Sequence, residues 1–402
     1  MRPLHTPSRS AARPRPRSRG LRRAAVAALA ATALAGSLTP AAAGTGPAEP
    51  PRDRSLQRQL LALVEAPGGP PGAIAVLRRD GRQEVYRAGV AEIGRREAPG
   101  LEDHMRIASV AKAFSGAVAL SLVDDHRLGL DDTIGRRLPR LPRDWHAVTL
   151  RQLLNHTSGL PDYTEDPEFL EILTADPRHR FDSRRLLDYV ADEDLRFEPG
   201  SRYQYSNSDN IAVALMAEQA TGRRYEELLK ERVYRPLGLR ATSLPQGYRL
   251  PEPFMHGYAV EPPAPPEDVS EVLGASGVWA SGGIVSTPRE LSAFIRGYAG
   301  PELLSPPTRR QQQRFVRGGA SEPAGPGANA AGLGIFRYTT RCGVVLGHTG
   351  NFPGYTQFAA ATPDGKRSVT VSVTSQVPLD PELLDRLRAT EENFVCRLLG
   401  DH

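Results

Sequence analysis

The 402-residue sequence predicts an α/β (α+β) fold: an antiparallel sheet flanked by helices, with a mostly helical subdomain inserted into it. Three observations carry this expectation. β-rich runs lie near both ends of the chain. The patterns from about residue 130 to 270 are mostly helical, with polar loops between them. A helix-period segment closes the chain.

The chain begins with an arginine-rich region, residues 1 to 23, followed by the apolar run Ala24 to Gly36 and an Ala41-x-Ala43 cleavage pattern. That order predicts a secretory signal peptide over residues 1–43, by the Sec or Tat route, since Arg22-Arg23 precedes the run. The protein is therefore expected to be secreted. The apolar run is too short for a transmembrane anchor. Eight of the 51 Lys and Arg residues lie in this leader, which has no acid, so residues 44–402 carry 43 basic against 46 acidic side chains. A near-neutral balance excludes nucleic-acid binding as an expectation.

Residues 44–53 read as a flexible start, and 54–402 as one domain. Its sheet-bearing part is expected over 54–114 and 273–402, and its helical part over 115–272. Arg54 to Ala66 predicts a helix with Leu56, Leu60, Leu63 and Val64 on one face. Two β-rich runs then flank Asp80-Gly81, a hairpin signal. Residues 109–124 are apolar at helical spacing, with Gly129 as the expected stop. "TLRQLLNHTSGL", "SRRLLDYVADE" and "DNIAVALMAEQATG" supply the helical middle. Glu261 to Asp268 reads as a proline-rich connector. Residues 318–332 read as a surface loop. "CGVVLGHTG", "YTQFAAATP" and "RSVTVSVTS" are β-like, and 381–399 is a closing helix that starts with proline. The only cysteines, Cys342 and Cys396, are expected to form one disulfide in an exported chain. The nine histidines show no metal-ligand spacing, so no metal or cofactor is expected.

Three short elements carry the chemistry. In "ASVAKAF", Ser109 and Lys112 are one helical turn apart, and the chain has only two other lysines, Lys230 and Lys366. A desolvated lysine can relay a proton from the serine, which arginine cannot. Alone, the pair reads more readily as a helix-capping serine beside a solvated lysine. In "YQYSNSDN", Tyr205 and Asn207 offer a phenol and an amide two positions apart, and Ser208-Asp209-Asn210 offers a second tripeptide or ordinary helix capping. In "GHTG", Gly347 to Gly350, His348 offers a positive or donating group and Thr349 a hydroxyl for a substrate carboxylate.

Ser-x-x-Lys, Tyr-x-Asn and His-Thr-Gly in this order resemble the penicillin-recognising serine hydrolases, which include class C β-lactamases, D-alanyl-D-alanine carboxypeptidases and related esterases. "LLNHTSGLPDYTED" looks like a segment of that family, and His348 in place of lysine and the two cysteines are similar to those of secreted actinobacterial DD-carboxypeptidases. The resemblance implies a β-lactamase/transpeptidase-like fold and an acyl-enzyme on Ser109. It implies proton transfer by Lys112 and Tyr205, substrate positioning by Asn207, electrostatic support of Tyr205 by His348, and carboxylate contact by Thr349 beside Gly350. The oxyanion hole would be the backbone N–H groups of Ser109 and Asn351. In that register Ser208-Asp209-Asn210 is capping. Peptidoglycan stem peptides or β-lactams would be the substrates of a monomeric D-alanyl-D-alanine carboxypeptidase. A β-lactamase, an esterase and a non-catalytic binder of cell-wall fragments are the alternatives. Two positions depart from the carboxypeptidase pattern. Its carboxylate-holding arginine falls at Phe336, with Arg337 one step off, and its aromatic wall falls at Gly277, with Trp279 two away.

Overall fold

The computed structural model describes residues 53–377 and 381–400. The expected leader and residues 44–52 lie outside the described residues. Asp53 caps the first helix, α1 (Arg54–Val64), by accepting a 2.7 Å hydrogen bond from the Ser55 N–H.

An eight-stranded antiparallel sheet forms the centre. Its strands are β1 (Gly72–Arg79), β2 (Arg82–Gly89), β3 (Val316–Arg317), β4 (Ala328–Ala331), β5 (Phe336–Thr340), β6 (Gly343–Phe352), β7 (Tyr355–Ala361) and β8 (Ser368–Val373). The spatial order is β2-β1-β8-β7-β6-β5-β4-β3, so the first and last strands of the sheet in sequence, β1 and β8, pair with each other. The β1–β2 hairpin turns where both Asp80 and Gly81 have positive φ, the conformation that an Asp-Gly pair favours.

Alternation along the strands separates two layers. Ala73, Ala75, Leu77, Phe358, Val369 and Val371 face α1 and the closing helix α5 (Pro381–Leu399). Ile74, Val76, Ala359 and Ala361 face the opposite core, which holds α2 (Ala111–Asp124), α3 (Asn207–Thr221) and α4 (Pro288–Ala299). Every residue of α2 from Ala111 to Leu122 is buried, so this helix is a central post rather than an amphipathic cover.

Two local expectations are corrected. Helix α2 stops at Asp124, with His126 in the left-handed conformation rather than Gly129. Residues 318–332 are not one surface loop. Ala328–Ala331 pairs with β5, and the Asn329 side chain pins the preceding turn by bonding Gly325 and Gly327. Alanine-rich composition hid this short strand, because its pairing is set by β5 and not by its own propensity.

Cys342, in the β5–β6 turn, is bonded to Cys396 on α5. No helix among the described residues is long and apolar enough to cross a membrane.

Candidate active site

Ser109 sits in a single 3₁₀ turn, Ala108–Val110, that feeds α2. The preceding Ala108 has φ +50°, an uncommon conformation for a residue with a Cβ, and it presents Ser109 at the mouth of a cleft. Lys112 lies one turn on, 1 % exposed, with Nζ 3.0 Å from Ser109 Oγ, 2.7 Å from Asn207 Oδ1 and 2.8 Å from the Ser281 carbonyl. Burial pulls its pKa from the usual 10.5 down to about 7, against the raising influence of Asp162, Glu322 and Asp209. A substantial fraction of the side chain is therefore neutral amine near neutral pH, and the solvated-lysine alternative is set aside.

Asn207 opens α3. Its backbone N–H donates to Asp162 Oδ2 at 2.7 Å, and its Nδ2 donates to the same oxygen at 2.9 Å and to Thr164 Oγ1 at 3.2 Å. Asp162 thus satisfies an otherwise open helix N–H and aims the Asn207 oxygen at Lys112. Tyr205, just outside the helix, keeps its ring 4.9 Å from Lys112 Nζ. Its hydroxyl is buried and has no hydrogen-bond partner. Burial pushes this phenol well above its ordinary range, while the neighbouring Ser109 hydroxyl lowers it. A neutral phenol beside the Ser109 hydroxyl stands ready to donate.

Ser208, Asp209 and Asn210 do not cap the helix. All three are buried in its first turn and bond across the molecule. Ser208 Oγ accepts from the Tyr163 N–H, Asp209 pairs with His156 Nδ1 at 2.7 Å and with Ser158 Oγ at 2.5 Å, and Asn210 donates to Ser115. The His156 ring lies 4.5 Å from that of Tyr205, so the triplet supports the tyrosine from behind. Burial drives His156 down and Asp209 up, toward a neutral pair.

The β6 residues are placed differently from the expectation. His348 is fully buried, with Nδ1 2.5 Å from the Thr349 carbonyl and Nε2 without a partner. Burial lowers its pKa to about 3, so it brings no positive charge to the site. Thr349 Oγ1 donates to the Pro323 carbonyl at 2.5 Å and does not line the cleft. Gly350 is needed for close approach, since a Cβ there would lie 2.5 Å from the Ile107 carbonyl and 3.1 Å from the Ser109 nitrogen. Asn351 lines the cleft with Ser109, as an oxyanion-hole pair requires.

The cleft holds about 470 Å³. Its walls also include Val278, Gly282, Phe352, Leu384 and the segment Glu322–Ala324. Among the described residues no arginine lines it. The Arg337 guanidinium lies over the Phe315 ring at 4.8 Å, and Phe336 is buried in the core. Gly277 packs on Phe181, and the Trp279 indole donates to Glu226 at 3.0 Å.

The sequence reading missed Asp162, Thr164, Ser281 and Glu322. Asp162 left a signal, because it caps the Tyr163–Glu165 turn inside a stretch already singled out. Ser281 acts through its backbone carbonyl, which no sequence pattern marks.

A beta-lactamase family model matches residues 58–393. A D-stereospecific amidohydrolase from Streptomyces sp. superposes with a TM-score of 0.73 at 30 % identity, over 84 % of this chain and 98 % of that one. Penicillin-binding protein 4* of Bacillus subtilis is 26 % identical over 70 % of this chain and 63 % of its own length. The D-aminopeptidase of Brucella anthropi is 36 % identical over 47 % of this chain and 36 % of its own. The chain thus spans less than two thirds of these two curated relatives.

Proposed function

The chain belongs to the beta-lactamase family, and from that premise we propose that it is an exported serine hydrolase that cleaves amide bonds beside D-amino acid residues through an acyl-enzyme. The observation that carries this reading is the 3.0 Å contact between Ser109 Oγ and a buried lysine whose pKa has fallen to about 7. Ser109 attacks the substrate carbonyl as its proton passes to the neutral Lys112 amine. The oxyanion rests between the N–H groups of Ser109 and Asn351. Tyr205 gives its proton to the leaving amine and regains one from Lys112. Water then attacks the ester and frees Ser109. Asn207 holds Lys112 in register, and Asp162 holds Asn207. The helical part, 115–272, supplies Tyr205, Asn207 and Asp162, and the sheet-bearing parts supply Ser109 and Asn351.

The finer reading is a D-alanyl-D-alanine carboxypeptidase that also binds penicillin. The Cys342–Cys396 bond and the likeness to penicillin-binding protein 4* support it. A second reading, hydrolysis of D-aminoacyl amides, is favoured by a specific observation: Thr349, expected to contact a substrate carboxylate, donates instead to the Pro323 carbonyl, and among the described residues no arginine lines the cleft.

Fluorescent penicillin and a denaturing gel test the shared first step. Wild-type protein should be labelled covalently and Ser109→Ala should not. Absence of label and of any acyl adduct from a D-aminoacyl nitroanilide would leave only the non-catalytic binder. Release of D-alanine from diacetyl-Lys-D-Ala-D-Ala, of ammonia from D-alaninamide, or turnover of nitrocefin or nitrophenyl butyrate then separates the activities.

A further inference from the structure

The segment between β3 and β4, residues 318–327, is tied down on both sides of one acidic residue. Tyr203 Oη donates to the Ala320 carbonyl at 2.5 Å, and Ser321 Oγ meets Tyr338 Oη at 2.8 Å. Thr349 Oγ1 donates to the Pro323 carbonyl at 2.5 Å. Between these anchors Glu322 is exposed to solvent and lines the cleft with Ser109, Tyr205 and Asn207. The Glu322 carboxylate forms no hydrogen bond or ion pair with the described residues. The segment that carries it is fixed all the same.

The charged groups that act on Glu322 are Lys112 and two acids. Partial burial raises the Glu322 carboxyl above its usual range, Lys112 attracts the carboxylate, and Asp162 and Glu165 repel it. A substrate carboxylate placed beside Glu322 would be repelled, and would find neither the Thr349 hydroxyl nor a guanidinium in the cleft. A cationic substrate group would be held there by a charge-assisted hydrogen bond. When a carbonyl is seated at Ser109, the ammonium nearest to it on a D-aminoacyl substrate is that of the same residue.

We propose that Glu322 is a specificity residue that pairs with the free α-ammonium of the acyl residue, so that the enzyme selects substrates with an unblocked amino group. The assignment rests on the acyl-enzyme reading and names the substrate class of the same cleft. Neutralising the carboxylate removes the pair, and because its influence on Lys112 falls on every substrate alike, the ratio between two substrates reads the pair alone.

The experiment compares D-alanine p-nitroanilide with its N-acetyl derivative on wild type, Glu322→Gln and Glu322→Asp. Wild type should prefer the free amine. Glu322→Gln should lower kcat/KM for the free amine by roughly 10- to 100-fold, mainly through KM, with the acetylated substrate changed by less than about twofold. Glu322→Asp should restore part of the loss. An equal effect on both substrates, no effect on either, or a wild-type preference for the acetylated compound overturns the assignment. Acylation of Ser109 by fluorescent penicillin and by nitrophenyl acetate is followed in parallel. If neither these probes nor the nitroanilides acylate wild type, the acyl-enzyme reading fails and the assignment with it. If they acylate it but Glu322→Gln does not discriminate, only the assignment fails.

Discussion

The floor of the cleft and the wall above it are built on opposite plans. On the floor, Lys112 is buried and makes contacts with Ser109, Asn207 and Ser281, and Asn207 is held in turn by Asp162 and Thr164. The wall at 318–327 is fixed mainly through its carbonyl groups, and its one acid projects unpaired. Burial tunes the floor: it lowers Lys112 and raises Tyr205, so that one can take a proton and the other can give one. Exposure keeps the wall free to meet a ligand. Reaction type is written in the buried groups, and the proposed substrate choice in a side chain without a hydrogen bond of its own.

The largest expected effect falls on the floor. Lys112→Arg keeps the charge but removes the proton acceptor, and stopped-flow acylation by a chromogenic β-lactam should slow by at least about 10³-fold. In wild type the same rate should rise about tenfold per pH unit below about pH 7 and level off above it, because Lys112 is protonated below its pKa and becomes the active amine above it. A flat profile from pH 5 to 9 would argue against lysine as the base. Tyr205→Phe should cost about 10²- to 10⁴-fold in acylation. Ser208→Ala, which frees only the Tyr163 N–H, should change that rate by less than about threefold while lowering stability by about 1 kcal/mol. The reverse ranking would mean that the second tripeptide carries the chemistry.

Gly350→Ala tests the contact between floor and strand. Its Cβ would press on the Ile107 carbonyl, and backbone must move where Ser109 is presented. A loss of roughly 10- to 100-fold in acylation, with the protein still folded by circular dichroism, is expected. The smallest catalytic effect should come from the far end of β6. Replacing Cys342 and Cys396 with serine opens a loop of 54 residues in sequence separation and should lower unfolding free energy by about 2–5 kcal/mol in denaturant titration. Acylation should stay within about twofold of wild type, as distant sites act independently.

The sequence disclosed the floor better than the wall for a physical reason. Ser109 and Lys112 are brought together by helical spacing, and Tyr205 and Asn207 by two positions of backbone, so local pattern suffices. The Asp80-Gly81 hairpin and the three C-terminal strands were legible on the same ground. The charge state of His348 was not, because burial by the surrounding fold sets it. Nor was the use of Ser208, Asp209 and Asn210, whose partners lie 45 to 95 residues away. Glu322 sat in a segment whose glycine and proline content reads as surface, and only the fold brings that segment to Ser109.

The hydrogen bond from Thr349 to the Pro323 carbonyl has an evolutionary consequence. It grips main chain, so it is indifferent to which side chain stands at position 322. Tyr203 grips Ala320 in the same way. Between these two clasps a lineage can exchange one side chain for another, and so change diet, while the machinery beneath keeps its alignment. The fold thereby leaves the side chain at 322 free to change without loosening the main chain that carries it.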